Sequence, residues 1–359
     1  MSSKTRKIAF FFTKSITYNV FLKSMVDHFK NEYEILLCTS DIKNLDNNLS
    51  KKSNIFFPIK LIDFLNFKEI ISSIYKLNKI ISSNSNDIIF CHTPVASHFV
   101  RIATFFKKPK IIYFVHGFRF NDSRKSFLNY FYKIIELILS KNTSGYISIN
   151  NSDFKFIKEV IKKPVIKVNG VGLDKKDSKI KKKNDISKFN IGMIGAYKKN
   201  KGYKSMLNNL DIVKKFIPNI YINAYGYGSS TEIKNLINKK KIKSVKLNKF
   251  TKNIIRKIVN FDILLHPSFR EGLPVSIMQS LQYGIPVIGR NIIGNKDLIK
   301  NNYNGFLFNS DKEMINQLKI LYLDKKLRIK FSNNASKTIT QDYLKPFINA
   351  KIKKFIDKF

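Results

Sequence analysis

Residues 268–288 read SFREGLPVSIMQSLQYGIPVI. An apolar run at 262–266 precedes them, Pro274 stands where a first-turn helix proline belongs, Gly284 stands where a helix terminates, and a second apolar run occupies 285–288. Strand, helix and strand in so short a span make a parallel βα unit. The Glu271-Gly272-Leu273 loop then opens a helix at the C-terminal end of a strand. A helix N-terminus there offers free N–H groups and the positive end of a dipole, which suits a pyrophosphate, at the crevice where open α/β sheets bind ligands. Taken alone, a glutamate at a helix start is also what the dipole favours.

The same rhythm runs outward in both directions. Strands are expected at 7–12, 33–38, 54–59, 87–91, 110–115, 145–149 and 165–168, with helices near 18–30, 66–83, 94–106, 124–141 and 151–162. Residues 172–188 are polar and aperiodic and read as a linker. Strands resume at 190–194, 220–225, 244–247, 262–266, 285–288 and 305–308, with helices near 201–217, 229–240, 251–260, 274–284, 311–323 and 325–338. A chain of 359 residues suits about two domains. The expected α/β architecture is therefore two doubly wound, Rossmann-like domains facing a cleft: 1–171, the linker 172–188, and 189–343, followed by a C-terminal helix in 344–359.

Composition narrows the classes. A hydrophobic share of 43% with 14 Gly and 9 Pro is globular and excludes collagen-like or wholly disordered chains. Cys38 and Cys91 give neither a disulfide framework nor a zinc spacing. No apolar run approaches the roughly 18 residues of a membrane span, and the run at 8–12 is shorter than the apolar region of a signal peptide. The formal charge is +41, carried by 58 Lys and 8 Arg. An AT-rich genome favours lysine, but it should favour glutamate as well, and only 8 of the 25 acidic residues are Glu. Part of the excess is therefore expected to be selected, and a net positive field attracts anionic partners such as membrane lipid, nucleic acid or phosphorylated substrates without deciding which.

A second glycine loop follows the strand at 190–194: Gly195-Ala196-Tyr197, then Lys198-Lys199-Asn200-Lys201-Gly202. Glycine admits close backbone approach, and a lysine at the next helix start is a compact charge for phosphate. It is neither a Walker loop nor a full dinucleotide fingerprint. Together with Glu271-Gly272-Leu273-Pro274-Val275, Gly284-Ile285-Pro286-Val287-Ile288, Gly294-Asn295-Lys296-Asp297-Leu298-Ile299 and Asn304-Gly305-Phe306-Leu307, the chain resembles the retaining GT-B glycosyltransferases of family 4. Cys91-His92-Thr93-Pro94 and Val115-His116-Gly117-Phe118 resemble loops of its bacterial surface-polysaccharide members.

The resemblance implies roles. Lys201 corresponds to the phosphate-binding lysine and Glu271 to the first acid of a Glu-x7-Glu motif. Gly195, Gly272, Leu273, Pro274 and Val275 would contact the donor, and His116 and Glu271 would position its sugar. His92 is expected to line the cleft, while His28, His98 and His266 read as structural. Two positions depart from the pattern. The second acid is Gln279, which keeps an acceptor oxygen for a ribose hydroxyl but loses charge. Ala196 stands where many relatives place arginine, with Lys198 or Lys199 as replacements. No Asp-x-Asp motif is present, so cationic side chains and helix dipoles, rather than a metal, are expected to meet the leaving diphosphate.

The resemblance also implies an activity: transfer of a sugar from a nucleotide diphosphate donor, UDP-linked in the first instance, to a saccharide on a polyprenyl diphosphate in O-antigen, capsule or exopolysaccharide synthesis. No cofactor is expected. The C-terminal helix is expected to pack back on the N-terminal domain, which binds acceptor. The expected location is cytoplasmic, peripheral on the inner face of the bacterial plasma membrane, with its anionic surface as a partner. The segment 124–141 is a candidate contact, its apolar residues flanked by basic ones, though a core helix reads the same way. Residues 234–257 carry ten basic and no acidic residues and are a second candidate. Nothing resembles a nucleic-acid motif. A nucleotide-sugar 2-epimerase on the same fold, and a non-catalytic membrane-binding relative, are the alternatives.

Overall fold

Strands buried on both faces need near-continuous apolar runs, and FFF at 10–12 or IIYFV at 111–115 supply them. In the computed structural model, which describes residues 6–39, 67–83, 87–120, 126–181 and 187–359, these runs assemble into two six-stranded parallel sheets. The chain divides into two units, Met1–Gly172 with Lys345–Phe359, and Leu173–Leu344.

In the first unit, β1 (Arg6–Phe12), β2 (Tyr33–Thr39), β3 (Ile88–His92), β4 (Ile111–Val115), β5 (Gly145–Ser148) and β6 (Val165–Lys167) lie in the order β2-β1-β3-β4-β5-β6. Helix α1 (Lys23–Phe29) follows β1. Helices α2 (Phe67–Ser83), α3 (Pro94–Ala103) and α4 (Phe127–Ser140) contribute inward residues to one core with Ala9, Phe11, Ile89 and Tyr113. A buried ion pair ties two of them together: the guanidinium of Arg101 on α3 donates to both carboxylate oxygens of Glu136 on α4, at 2.6 and 2.9 Å. Helix α5 (Asn151–Phe156) follows β5 and is capped by Asn150, which accepts from the Asp153 N–H at 2.8 Å.

In the second unit, β7 (Phe189–Ile194), β8 (Ile220–Gly226), β9 (Val245–Lys249), β10 (Ile263–His266), β11 (Val287–Arg290) and β12 (Gly305–Phe308) lie in the order β12-β11-β10-β7-β8-β9. The order reverses between β7 and β10, which pair through Ile263 with Ile191 and Leu264 with Gly192. The loops after these two strands therefore meet at a topological switch point, where doubly wound sheets open a crevice. The helices used below are α6 (Tyr203–Asn208), α7 (Thr231–Lys239), α8 (Val275–Gln282), α9 (Asp311–Leu323) and α10 (Lys325–Thr338). The final helix, α11 (Lys345–Ile356), belongs to the first unit, where Asn349 donates to the Ser24 carbonyl of α1 at 3.0 Å.

Several expectations need correction. The helix expected at 201–217 is a 3-10 turn at Lys199–Lys201, ended by Gly202 at a left-handed φ of 75°, and two short helices, Tyr203–Asn208 and Leu210–Lys214, separated at Asn209. The strand expected at 285–288 begins two residues later. The Ile285 N–H is used by the Ser280 carbonyl at the end of α8, and Pro286 has no N–H to give. The helix near 18–30 opens on a π-helical turn at Tyr18–Leu22. The start of the linker is tied to the second unit: the Leu173 N–H donates to the Tyr343 carbonyl at 2.8 Å, and Gln282 donates to the Asp174 carbonyl at 2.9 Å. The strand expected at 54–59 lies outside the described residues.

Candidate active site

The site in the second unit is built from the two switch-point loops. After β7 the chain passes Gly195, Ala196 and Tyr197, turns at Lys199–Lys201, and enters α6 through Gly202. After β10 it runs from Pro267 to Pro274 and enters α8. The two loops are stitched together: the Phe269 N–H and the Ser268 hydroxyl both donate to the Asn200 carbonyl, at 2.9 and 3.2 Å. Gly202 is required at the seam, since a Cβ there would lie 2.2 Å from the Pro267 carbonyl oxygen. That contact, with its left-handed backbone, admits no other residue without movement.

The seam delivers Lys201 to Glu271. The ammonium donates to Oε1 at 2.6 Å, and both side chains keep part of their surface open. His266, at the end of β10, brings Nε2 to 3.5 Å from the same oxygen. Burial alone would raise the Glu271 carboxyl, but His266 and Lys201 hold it below the ordinary carboxylate range. Burial pushes His266 down to about 4. His266 is thus neutral near pH 7, and the standing charge facing Glu271 is that of Lys201. The combination is an ionised carboxylate and an ammonium held at the mouth of a parallel sheet.

Helix α8 starts beside this pair. Pro274 is the N-cap rather than the first helical residue, with ψ of 118°. It brings no capping side chain; its carbonyl accepts from the Ile277 and Met278 N–H groups at 3.1 and 3.2 Å, which leaves the N–H groups of Val275 and Ser276 at the helix start. Leu273 and Pro274 are buried and fix the loop, while Gly272 and Val275 are part-exposed. Gln279 lies one turn along from Val275 and is part-exposed. Gly195 differs from Gly202 in kind. A Cβ at Gly195 would meet only Lys201 Cδ at 3.6 Å, Lys201 Cγ at 3.7 Å and the Tyr203 hydroxyl at 3.8 Å, which are ordinary contacts. Lys198 and Lys199 are exposed and line a cavity of about 360 Å³ with Tyr197, Lys204 and Glu232, a lining that does not include Lys201 or Glu271.

The first unit holds the two histidines. His92 ends β3, His116 follows β4, and their Nδ1 and Nε2 atoms lie 3.1 Å apart, so one ring donates to the other. His116 stacks on Phe114 and tilts against Phe21. Part of its surface stays open, yet loss of hydration holds it at about 4. His92 is fully buried among Phe10, Phe90 and Phe114, and burial drives it well below its ordinary value. His92 therefore does not line a surface as expected; it backs His116. Two neutral imidazoles sharing one hydrogen bond orient His116 without adding charge.

His266 is the residue that sequence reasoning set aside and the structure brings to Glu271. The available signal was its place, at a strand's C-terminal end in the loop leading to Glu271. Arg290 was also missed: it donates to the Pro267 carbonyl at 3.3 Å and lies over the Phe269 ring at 4.2 Å, supporting the loop from behind.

Comparison with known proteins gives a consistent result. The model of the glycosyl transferases group 1 matches residues 174–338, and that of glycosyl transferase 4-like proteins matches residues 7–150. The chain is 28% identical over 329 residues to the UDP-Gal:alpha-D-GlcNAc-diphosphoundecaprenol alpha-1,3-galactosyltransferase of Escherichia coli, covering 86% of this chain and 85% of that one. It is 30% identical over 248 residues to an uncharacterized 41.2 kDa protein in the cps region of Klebsiella pneumoniae, covering 64% of this chain and 67% of that one. Among solved structures, Anabaena Alr3699/HepE in complex with UDP and glucose superposes with a TM-score of 0.79 over 99% of this chain and all of that one, at 16% identity.

Proposed function

The chain belongs to the glycosyl transferases group 1, is a glycosyltransferase and has the GT-B fold; from that premise we propose that it moves a sugar, with retention, from a UDP-linked donor to a saccharide carried on a polyprenyl diphosphate. The observation that carries the reading is the Lys201–Glu271 pair beside the uncapped start of α8. An arriving diphosphate competes for the Lys201 ammonium and takes the N–H groups of Val275 and Ser276 at the start of α8. Both interactions strengthen as the leaving group gains charge, which is what lowers a barrier. The reading needs no bound metal for this step. Glu271, released from Lys201, accepts hydrogen bonds from sugar hydroxyls. His116, oriented by His92, donates or accepts as a neutral group, and the incoming hydroxyl attacks from the face the diphosphate leaves, its proton passing to the departing phosphate oxygen as the sugar–phosphate bond breaks.

Gly195 supports the same reading. The protein's own packing does not require glycine there, so its value lies in close approach of a ligand to the backbone. The named substrates of the Escherichia coli relative, a UDP-sugar and a diphosphoundecaprenol-linked acceptor, support the choice of both substrate classes. Among the described residues no helix is long and apolar enough to cross a membrane. A lipid-linked acceptor then calls for peripheral association with the anionic inner leaflet.

The test is incubation of the protein with a panel of UDP-sugars and a polyprenyl diphosphate-linked saccharide. The expected result is UDP release that depends on acceptor, with an anomeric configuration in the product equal to the donor's. Acceptor-independent release of an epimerised sugar would replace transfer by 2-epimerisation, and inversion at the anomeric carbon would overturn the mechanism.

A further inference from the structure

Helices α2, α3 and α4 form one rigid layer. Asn78 on α2 donates to the Ala103 carbonyl on α3 at 2.6 Å, and Lys107, just past α3, donates to Asn78 at 2.8 Å. Arg101 and Glu136 lock α3 to α4. The inward faces of all three share one core.

The outward faces are unusual in what they expose. Of the twenty large apolar side chains exposed among the described residues, ten lie on these three helices or in the turn after α3, so the exposure is concentrated rather than scattered. Phe127, Phe131, Ile134 and Ile138 make one stripe along α4, at helical spacing and with no charged residue in it. Phe106, after α3, is 95% exposed, and Phe127 is 85% exposed. Tyr75 on α2 and Tyr130 on α4 add two amphipathic rings, at 71% and 70%.

Charge identifies what covers this face. Lys76 and Lys79 on α2, Lys107 and Lys108 after α3, and Lys141 after α4 are all exposed. Glu136 is buried against Arg101, and Glu69, the other acid on the three helices, is part-buried. A second copy of the chain would bring one lysine-rich rim against another, which is unfavourable. An anionic bilayer offers negative headgroups to the rim and a hydrocarbon boundary to the stripe.

We propose that the outer surface of α2, α3 and α4 is a membrane-docking face, with Phe106, Phe127 and Phe131 entering the headgroup–acyl boundary and the surrounding lysines resting over anionic lipid. The proposal deepens the reading above, on which it rests for its purpose, a lipid-linked acceptor; the docking itself is measured without acceptor.

The experiment is flotation of the full chain with phosphatidylcholine vesicles, with and without phosphatidylglycerol, at low and high salt. The protein is expected to float with anionic vesicles, to lose part of that binding as salt rises, and to keep a salt-resistant remainder. The variant Phe106→Ser/Phe127→Ser/Phe131→Ser should lose at least about tenfold of the remainder. Lys79→Gln/Lys107→Gln/Lys141→Gln should lose the salt-sensitive part. All six side chains are exposed, and unchanged UDP binding by calorimetry verifies the fold. Salt-resistant binding that survives in the phenylalanine variant would overturn the proposal. So would a wild-type dimer in gel filtration that the same variant dissolves, which would assign the face to a second copy. Turnover on a water-soluble acceptor should be equal in wild type and the phenylalanine variant. Absence of turnover in both would overturn the transferase specifics while leaving the flotation result to judge the docking face.

Discussion

Lys201 and Glu271 lie seventy residues apart in the chain, and their Nζ and Oε1 atoms lie 2.6 Å apart. The contact exists because β7 and β10 are neighbours in the sheet and because Gly202 lets the turn after β7 close onto the carbonyl of Pro267. The lysine is thus held against the carboxylate at the switch-point loops, where the function proposed above puts the donor diphosphate.

Replacing that lysine tests the donor site. Lys201→Ala should weaken UDP binding by about 1.5 to 3 kcal/mol, the range for a hydrogen bond to a charged group. It also removes the ammonium that helps hold Glu271 ionised, so the carboxyl's pKa should rise. Calorimetry gives the first quantity and pH titration of the variant's stability the second. Unchanged UDP affinity in a folded variant would remove Lys201 from the site.

The two glycines of the same loop should behave oppositely. Gly195→Ala makes only ordinary contacts and should leave thermal stability nearly unchanged while lowering UDP affinity. Gly202→Ala forces a left-handed alanine against a backbone oxygen and should cost about 1 to 3 kcal/mol of stability. Paired melting curves and calorimetry separate the effects; equal UDP affinity for wild type and Gly195→Ala would mean that no ligand approaches that backbone.

Gln279 tests the departure from the family's pattern. Gln279→Glu should keep or raise donor affinity, because a carboxylate accepts a ribose hydroxyl more strongly than an amide. Gln279→Leu keeps the bulk, removes the acceptor and should lower affinity. Equal affinities for all three proteins would show that the position does not touch nucleotide.

The buried pair in the first unit makes a prediction about acid. Burial raises the Glu136 carboxyl, but Arg101 and His98 overcome this and bring it down to about 2, below its ordinary value. A depressed carboxyl contributes stability fully above the unfolded-state pKa and loses it as pH falls towards the folded value. The loss should therefore run from about pH 4.5 down to about 2. Glu136→Gln should abolish this slope and, by leaving Arg101 buried with no counter-charge, cost about 3 to 5 kcal/mol at neutral pH. Arg101→Met/Glu136→Leu should cost less than either single change. Urea unfolding between pH 2 and 7 measures all of these.

Reading the sequence alone reaches the architecture, because parallel strands buried on both faces must be apolar along their length and the helices between them must be periodic. The runs at 110–115 and 262–266 are strands to within a residue of their expected bounds, and Pro274 and Gly284 mark the ends of α8 to within two residues. The sequence also carries the individual site residues, Glu271 at a helix start and Lys201 beside a glycine loop, since local chemistry restricts which side chains suit those places. It does not carry who meets whom. That Lys201 pairs with Glu271, that His266 lies against the same carboxylate, and that His92 hides behind His116 depend on which strands are neighbours and how far each loop folds over its sheet. Those are long-range outcomes of packing, with no local signature. The outward stripe on α4 is the sharpest case. Its apolar residues read equally as core or surface, because periodicity gives a helix two faces and only the fold decides which one is covered.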